Sequence, residues 1–231
     1  MSNRSFKLTV VILIFAASAI SARAQERFVM PTDEASQDAS FVAFRTKLIA
    51  AVERRDANFI ISIVDPKIEL SFGGDAGIAD FKRMWKIQQK NSKFWAEMLA
   101  VIKNGGHFDK VFPGVKRFEA PYTFCGFPDD LDGFEHSVIF GSKVRLRRSA
   151  GLDAPIVAEL SYNVVKVDFE NSVKSKGSSD DDPQYDWLKV ATLGGTSGFV
   201  KAEFVRSPID LRAGFEKKRG MWKMVFFIAG D

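Results

Sequence analysis

Residues 185–200 read YDWLKVATLGGTSGFV, two short runs with a bulky side chain at alternate places and a glycine-rich gap between them. In an extended strand successive side chains point to opposite faces. Tyr185, Trp187 and Lys189 therefore share one face, and Asp186, Leu188 and Val190 share the other. Leu188 and Val190 are the natural core pair, which turns Tyr185 and Trp187 outward, while GGTSG supplies the reversal that returns Phe199 and Val200 alongside them. The segment predicts an antiparallel hairpin with aromatic side chains on its outer face.

Outward from this hairpin the same period of two continues. HSVIF, KVRLR, PIVAEL, NVVKVDF, WLKVA and GFVKAEF, all between residues 136 and 205, are strand-length runs separated by turn residues. Such spacing predicts a small antiparallel β-barrel. One connection is longer: residues 171–184, NSVKSKGSSDDDPQ, are polar and read as a loop. VRLRRSAGLDAPIVAEL at 144–160, VVKVDF at 164–169, DWLKVAT at 186–192 and TSGFVKAEFV at 196–205 resemble the bacterial SH3-like domain family, over roughly residues 141–205. Two departures fall in the loops: the first turn is poorer in glycine, asparagine and serine than is usual, and the acidic loop is longer.

The resemblance implies an SH3-like barrel that binds a peptide, a cell-wall glycan or a protein partner. Tyr185, Trp187 and Lys189, with Tyr162 extending the platform, are then the expected ligand-binding residues, flat apolar faces with an adjacent donor. Lys143, Arg145 and Arg147 form a basic stripe opposite Val144 and Leu146. It reads either as a solvated face or as a contact for an anionic polymer.

The N-terminal side is helical. After a polar stretch at 25–40 that reads as a linker, Phe41, Phe44, Leu48 and Val52 recur at spacings of three and four, and NFIISIV continues in that style until Asp65-Pro66. KIELSF (67–72) alternates as a strand with Ile68, Leu70 and Phe72 on one face. Two further helices carry Phe81, Met84 and Trp85, then Phe94, Trp95, Met98 and Ile102, before Gly105-Gly106 ends the second. Residues 107–135 read as loop. The last strands, LRAGFEKK and MWKMVFFIA, form a hairpin that needs burial and is expected to pair near KIELSF. The fold class is thus α+β: a domain of 41–135 plus 206–231, similar in rhythm to cystatin-like or nuclear-transport-factor-2-like proteins, with the barrel of 136–205 inserted in it.

Residues 1–24 have a basic start, an apolar run of 13 residues from Leu8 to Ile20, and small residues Ala22 and Ala24 before Gln25. That is the layout of a cleaved signal peptide. The run is shorter than the roughly 20 residues of a spanning helix, so a periplasmic or secreted protein with no stable membrane span is expected. Removing Arg4, Lys7 and Arg23 leaves 30 basic against 29 acidic residues, a net charge of +1 that gives no footing for nucleic acid. Cys125 is the only cysteine, which excludes an intramolecular disulfide.

Catalytic inventory is thin. His107 and His136 are the only histidines, no H-x-x-x-H or C-x-x-C spacing occurs, and neither GDAG (74–77) nor GLDAP (151–155) has a phosphate loop's lysine. Cys125 paired with His136 would be a nucleophile and base only if the cysteine opened a helix, and YTFCGFP is a poor context for that. Asp56 and Asp65 read as a helix-end charge and a turn former. No cofactor and no metal are expected. The sequence points to a non-catalytic envelope protein that binds a cell-wall component or envelope protein; the alternative is a small enzyme or small-ligand binder with its pocket in the cystatin-like part.

Overall fold

The computed structural model of the chain describes residues 25–109, 114–180 and 183–230. The expected signal peptide lies outside the described residues. Among the described residues the architecture is mixed α+β, with five α-helices and two sheets.

Helix α1 (Ala39–Glu53) buries Phe41, Leu48 and Val52, and α2 (Ala57–Ile63) buries Ile60 and Ile63. Their N-termini are capped by aspartates: Asp38 accepts from Phe41 N and Asp56 from Phe59 N, both at 3.0 Å. Such caps satisfy backbone donors that have no intrahelical partner. Strand β1 (Val64–Glu69) begins earlier than KIELSF suggests, so Asp65-Pro66 lies inside a strand. An edge strand tolerates the missing proline N–H, and β1 is an edge. Asp65 accepts from Lys67 N and from Lys218 Nζ, tying β1 to the far end of the chain. Phe72 falls beyond β1 and is exposed.

Helices α3 (Gly77–Trp85) and α4 (Phe94–Ile102) follow. The stretch read as loop then holds β2 (His107–Phe108), β3 (Arg117–Ala120) and the short helix α5 (Tyr122–Cys125). Elements this short leave too few residues for a period to emerge. The curled sheet comprises β4 (His136–Ile139), β5 (Val144–Arg147), β6 (Ile156–Leu160), β7 (Val164–Lys174), β8 (Tyr185–Thr192), β9 (Ser197–Lys201) and β10 (Val205–Arg206). The chain ends in β11 (Arg212–Lys218) and β12 (Met221–Ile228).

The first sheet has the order β1-β12-β11-β3-β2. The C-terminal hairpin supplies its central pair: β12 runs parallel to β1, with Val64 opposite Met224, and β11 antiparallel to β3, with Phe215 opposite Phe118. Helices α1 to α4 pack on it around an aromatic core. Phe41 meets Phe118 in a tilted pair at 4.1 Å and Trp222 edge-on at 4.8 Å, and Trp85 meets Phe227 at 4.8 Å.

The second sheet is antiparallel, ordered β10-β4-β7-β8-β9-β5-β6, and curls into a half-barrel around Ile139, Val144, Leu146, Val165, Val190 and Val200. Strand β7 runs on through Lys174, into what reads as loop, by way of an irregular stretch between Asp168 and Val173. There Ser172 Oγ accepts from Lys189 N at 2.9 Å, a side-chain substitute for a ladder bond. No helix among the described residues is long and apolar enough to cross a membrane.

Residues 25–40 are not a free linker. Val164 N donates to Arg27 O at 2.8 Å and Val29 N to Tyr162 O at 2.9 Å, so this segment lies along the curled sheet with Val29 buried. Glu26 accepts from Gly194 N, Arg27 pairs with Asp130, and Glu34 N then bonds Gly106 O beside the first sheet. Backbone pairing by polar residues leaves no mark on composition.

Asp38 also organises the end of α1. It accepts from Ser40 Oγ at 2.6 Å and pairs with Lys116, and Ser40 Oγ in turn accepts from Trp222 Nε1 at 3.0 Å and Lys217 Nζ at 2.8 Å. Lys116 and then Ser40 hold the carboxyl well below its ordinary range. A depressed folded-state value contributes stability that is complete above the unfolded value of about 4 and is lost as pH falls through the folded one. Asp38→Ala is expected to cost about 1 to 2 kcal/mol at neutral pH. Denaturant melts of both proteins should converge as pH drops below about 4; a gap independent of pH would remove the carboxylate from the account.

Candidate functional site

In strand β8, Leu188 and Val190 are buried in the curled sheet and Trp187 and Lys189 lie on the outer side, but the alternation does not extend to the start of the strand: the register against β7 shifts between Val173 and Lys174, Asp186 is exposed, and Tyr185 packs partly against the core. Trp187 sits opposite Lys201 of β9, and Lys189 opposite Phe199. Two hollows meet at the indole. One, of about 290 Å³, is lined by Lys143, Arg145, Arg147, Leu152, Lys201 and Phe204 together with Trp187. The other, of about 410 Å³, adds Tyr185, Asp186 and Glu203 and shares Leu152, Trp187 and Lys201. Leu152 is 64% exposed, an apolar side chain held in water beside a tryptophan.

The four expected site residues do not all converge. Tyr185 and Trp187 line the same hollow, although the Tyr185 ring also leans on Phe169 at 5.7 Å. Lys189 is one row away, engaged by Asp168 at 3.1 Å. Hydrogen bonds from Asn171 and then from Lys189 hold the Asp168 carboxyl below its ordinary value. Tyr162 lies elsewhere: at φ 59° in the β6–β7 turn it lines a cavity of about 350 Å³ with Tyr122 and Phe140, whose rings stack at 5.7 Å.

The basic stripe is also divided. Arg145 is exposed, but Arg147 is 8% exposed and donates from Nη1 to Ala154 O of the β5–β6 turn at 2.7 Å. Lys201 and Phe204 were not singled out from sequence, though the register of the GGTSG hairpin sets Lys201 directly across from Trp187. Leu152 carried a weaker signal, a lone leucine in the GLDAP turn.

The remaining candidate polar side chains are mostly engaged by the backbone, although Arg206 Nε is buried without a hydrogen-bond partner among the described residues. A cavity of about 830 Å³ is lined by Arg206, which donates from Nη2 to Leu211 O at 2.7 Å, and Asp210, which accepts from Ser207 N at 3.0 Å. Cys125 donates from Sγ to Glu119 O at 3.3 Å, and burial pushes its thiol up to about 12, away from the thiolate a nucleophile requires. His136 Nδ1 faces Asp132 O at 3.1 Å. Among the described residues no group of three or more His, Cys, Asp or Glu side chains could hold a metal ion. In comparisons with protein-family models, curated proteins and solved structures, nothing matches the chain.

Proposed function

We propose that this is a non-catalytic, exported cell-envelope protein in which an SH3-like barrel, inserted into a cystatin-like α+β part, binds an envelope component through the groove around Trp187. One observation carries the reading: an indole and two exposed apolar side chains, Leu152 and Phe204, share a hollow with four cationic side chains. Tryptophan and arginine in a partly desolvated hollow are the side chains that most often anchor binding. The interior between α1–α4 and the first sheet is filled by Phe41, Phe81, Phe94, Phe118, Phe215 and Phe227, all nearly or fully buried. That filled core favours a supporting role for this part over a pocket enzyme.

Trp187→Ala is the test. An anchoring tryptophan contributes about 2 kcal/mol or more, roughly thirtyfold in affinity. The variant is expected to lose retention on isolated envelope material while its melting temperature changes by no more than a few degrees, since Trp187 lies outside the buried cluster. Unchanged retention would remove the groove from function.

A further inference from the structure

The outer face of the curled sheet sets an indole, an ammonium and a guanidinium around one hollow. Trp187 is opposite Lys201, and Arg145, two residues before the Arg147 that pairs with Phe199 of β9, lines the hollow with both. Lys143 stands just ahead of β5, its backbone N–H on Ser161 Oγ at 2.9 Å. Arg147 is committed to Ala154 O, and Lys201 has Glu203 at 3.2 Å. Among the described residues neither the Lys143 ammonium nor the Arg145 guanidinium has an ion pair or hydrogen bond, although Glu159 stands across the ladder from Arg145. The smaller hollow has no carboxylate in its lining, and Ser142 is its single neutral polar side chain. Two unmatched cations against an apolar wall favour an anionic ligand.

The lining also discriminates among anions. A sugar ring stacked on Trp187 presents hydroxyls that need acceptors as well as donors, whereas Lys and Arg side chains only donate. A phosphate polymer would answer the cations but leave Leu152 and Phe204, 64% and 39% exposed, facing water. A polypeptide that alternates acidic and apolar side chains meets both demands. We infer that the Trp187 groove binds an acidic peptide segment of a partner protein, with its carboxylates on Arg145 and Lys143 and an apolar side chain seated among Leu152, Trp187 and Phe204. The inference rests on the groove being the protein's binding surface.

The probe is a fluorescein-labelled decapeptide alternating Asp with Leu or Phe, titrated against the purified protein and followed by anisotropy. Its counterpart with Asn for Asp, polyglucuronate and inorganic polyphosphate complete the set. The acidic peptide is expected to saturate, to weaken several-fold between about 50 and 300 mM salt, and to lose about tenfold in Arg145→Glu, an exposed site where folding is not at stake. The Asn peptide should not bind. Equal binding of the Asn peptide, indifference to Arg145→Glu, or a preference for either polymer over the peptide would overturn the inference. Retention on envelope material separates the two levels: retention that needs Trp187 but ignores Arg145→Glu and salt discards the acidic class and keeps the groove, and retention that ignores Trp187 discards the groove itself.

Discussion

Deleting residues 207–231 is expected to abolish cooperative unfolding of the N-terminal helices and their sheet. The deleted hairpin provides β11 and β12, which stand second and third in the order β1-β12-β11-β3-β2. Without them β1 on one side and β3 on the other lose their hydrogen-bonded neighbour across the centre. The loss in packing is larger still, because Ala213, Phe215, Trp222, Met224 and Phe227 all belong to the core that α1 to α4 cover. A single substitution samples the same effect: Phe215→Ala removes the ring that meets Phe41 at 6.1 Å and Phe44 at 5.6 Å, at a cost of about 3 to 5 kcal/mol. Domains have a net stability of about 5 to 15 kcal/mol, so removal of the four large side chains among these leaves nothing to hold the helices. Thermal melts and limited proteolysis of the truncated protein would show it; a preserved transition with protected helices would mean that the N-terminal part folds without its central strands.

The return of that hairpin was legible because MWKMVFFIA places more apolar surface on a two-stranded element than water tolerates, and KIELSF was a strand without a neighbour. Alternation likewise exposed the strands of the curled sheet, since a sheet packed on one face writes its burial directly into every second residue. It failed wherever the backbone departs from regular pairing. Arg147 shares a face with Arg145 and lines the same hollow, yet the β5–β6 turn covers it and takes its guanidinium at Ala154 O. Tyr162 follows a strand, but its positive φ aims it at Tyr122 and Phe140 instead of toward Trp187. The segment Glu26–Val29 holds the curled sheet through backbone bonds that any polar residues could make. The outward position of Trp187 follows from the period of β8, but Tyr185, beyond a shift in the β7–β8 register, packs partly on the core. The cation beside Trp187 is Lys201, supplied by the partner strand of the hairpin, and no single-strand pattern can name a cross-strand neighbour before the register is known.

Gly198 links that register to binding, and Gly198→Val is expected to damage both. It lies in the GGTSGFV return, fully within β9, opposite Val190 of β8 and beside β5. A Cβ at this position would stand 2.5 Å from Arg147 O and 3.0 Å from Leu146 Cγ. The first contact is backbone, fixed by the ladder, so it cannot be relieved by a rotamer change; β9 and β5 have to move apart. Overpacking of this kind costs about 1 to 3 kcal/mol and occasionally more, and the branched side chain adds to the crowding. The functional consequence follows from the same displacement. Lys201 lies three residues further along β9, opposite Trp187 and lining one hollow with Arg145 of β5, so separating the strands opens the lining on which the groove depends. Gly198→Val should therefore lower the melting temperature of the curled sheet and lose retention on envelope material together, whereas Trp187→Ala should lose retention alone. A valine variant that melts lower but is retained as well as the parent, at a temperature where both are folded, would show that binding does not need β9 and β5 held in register.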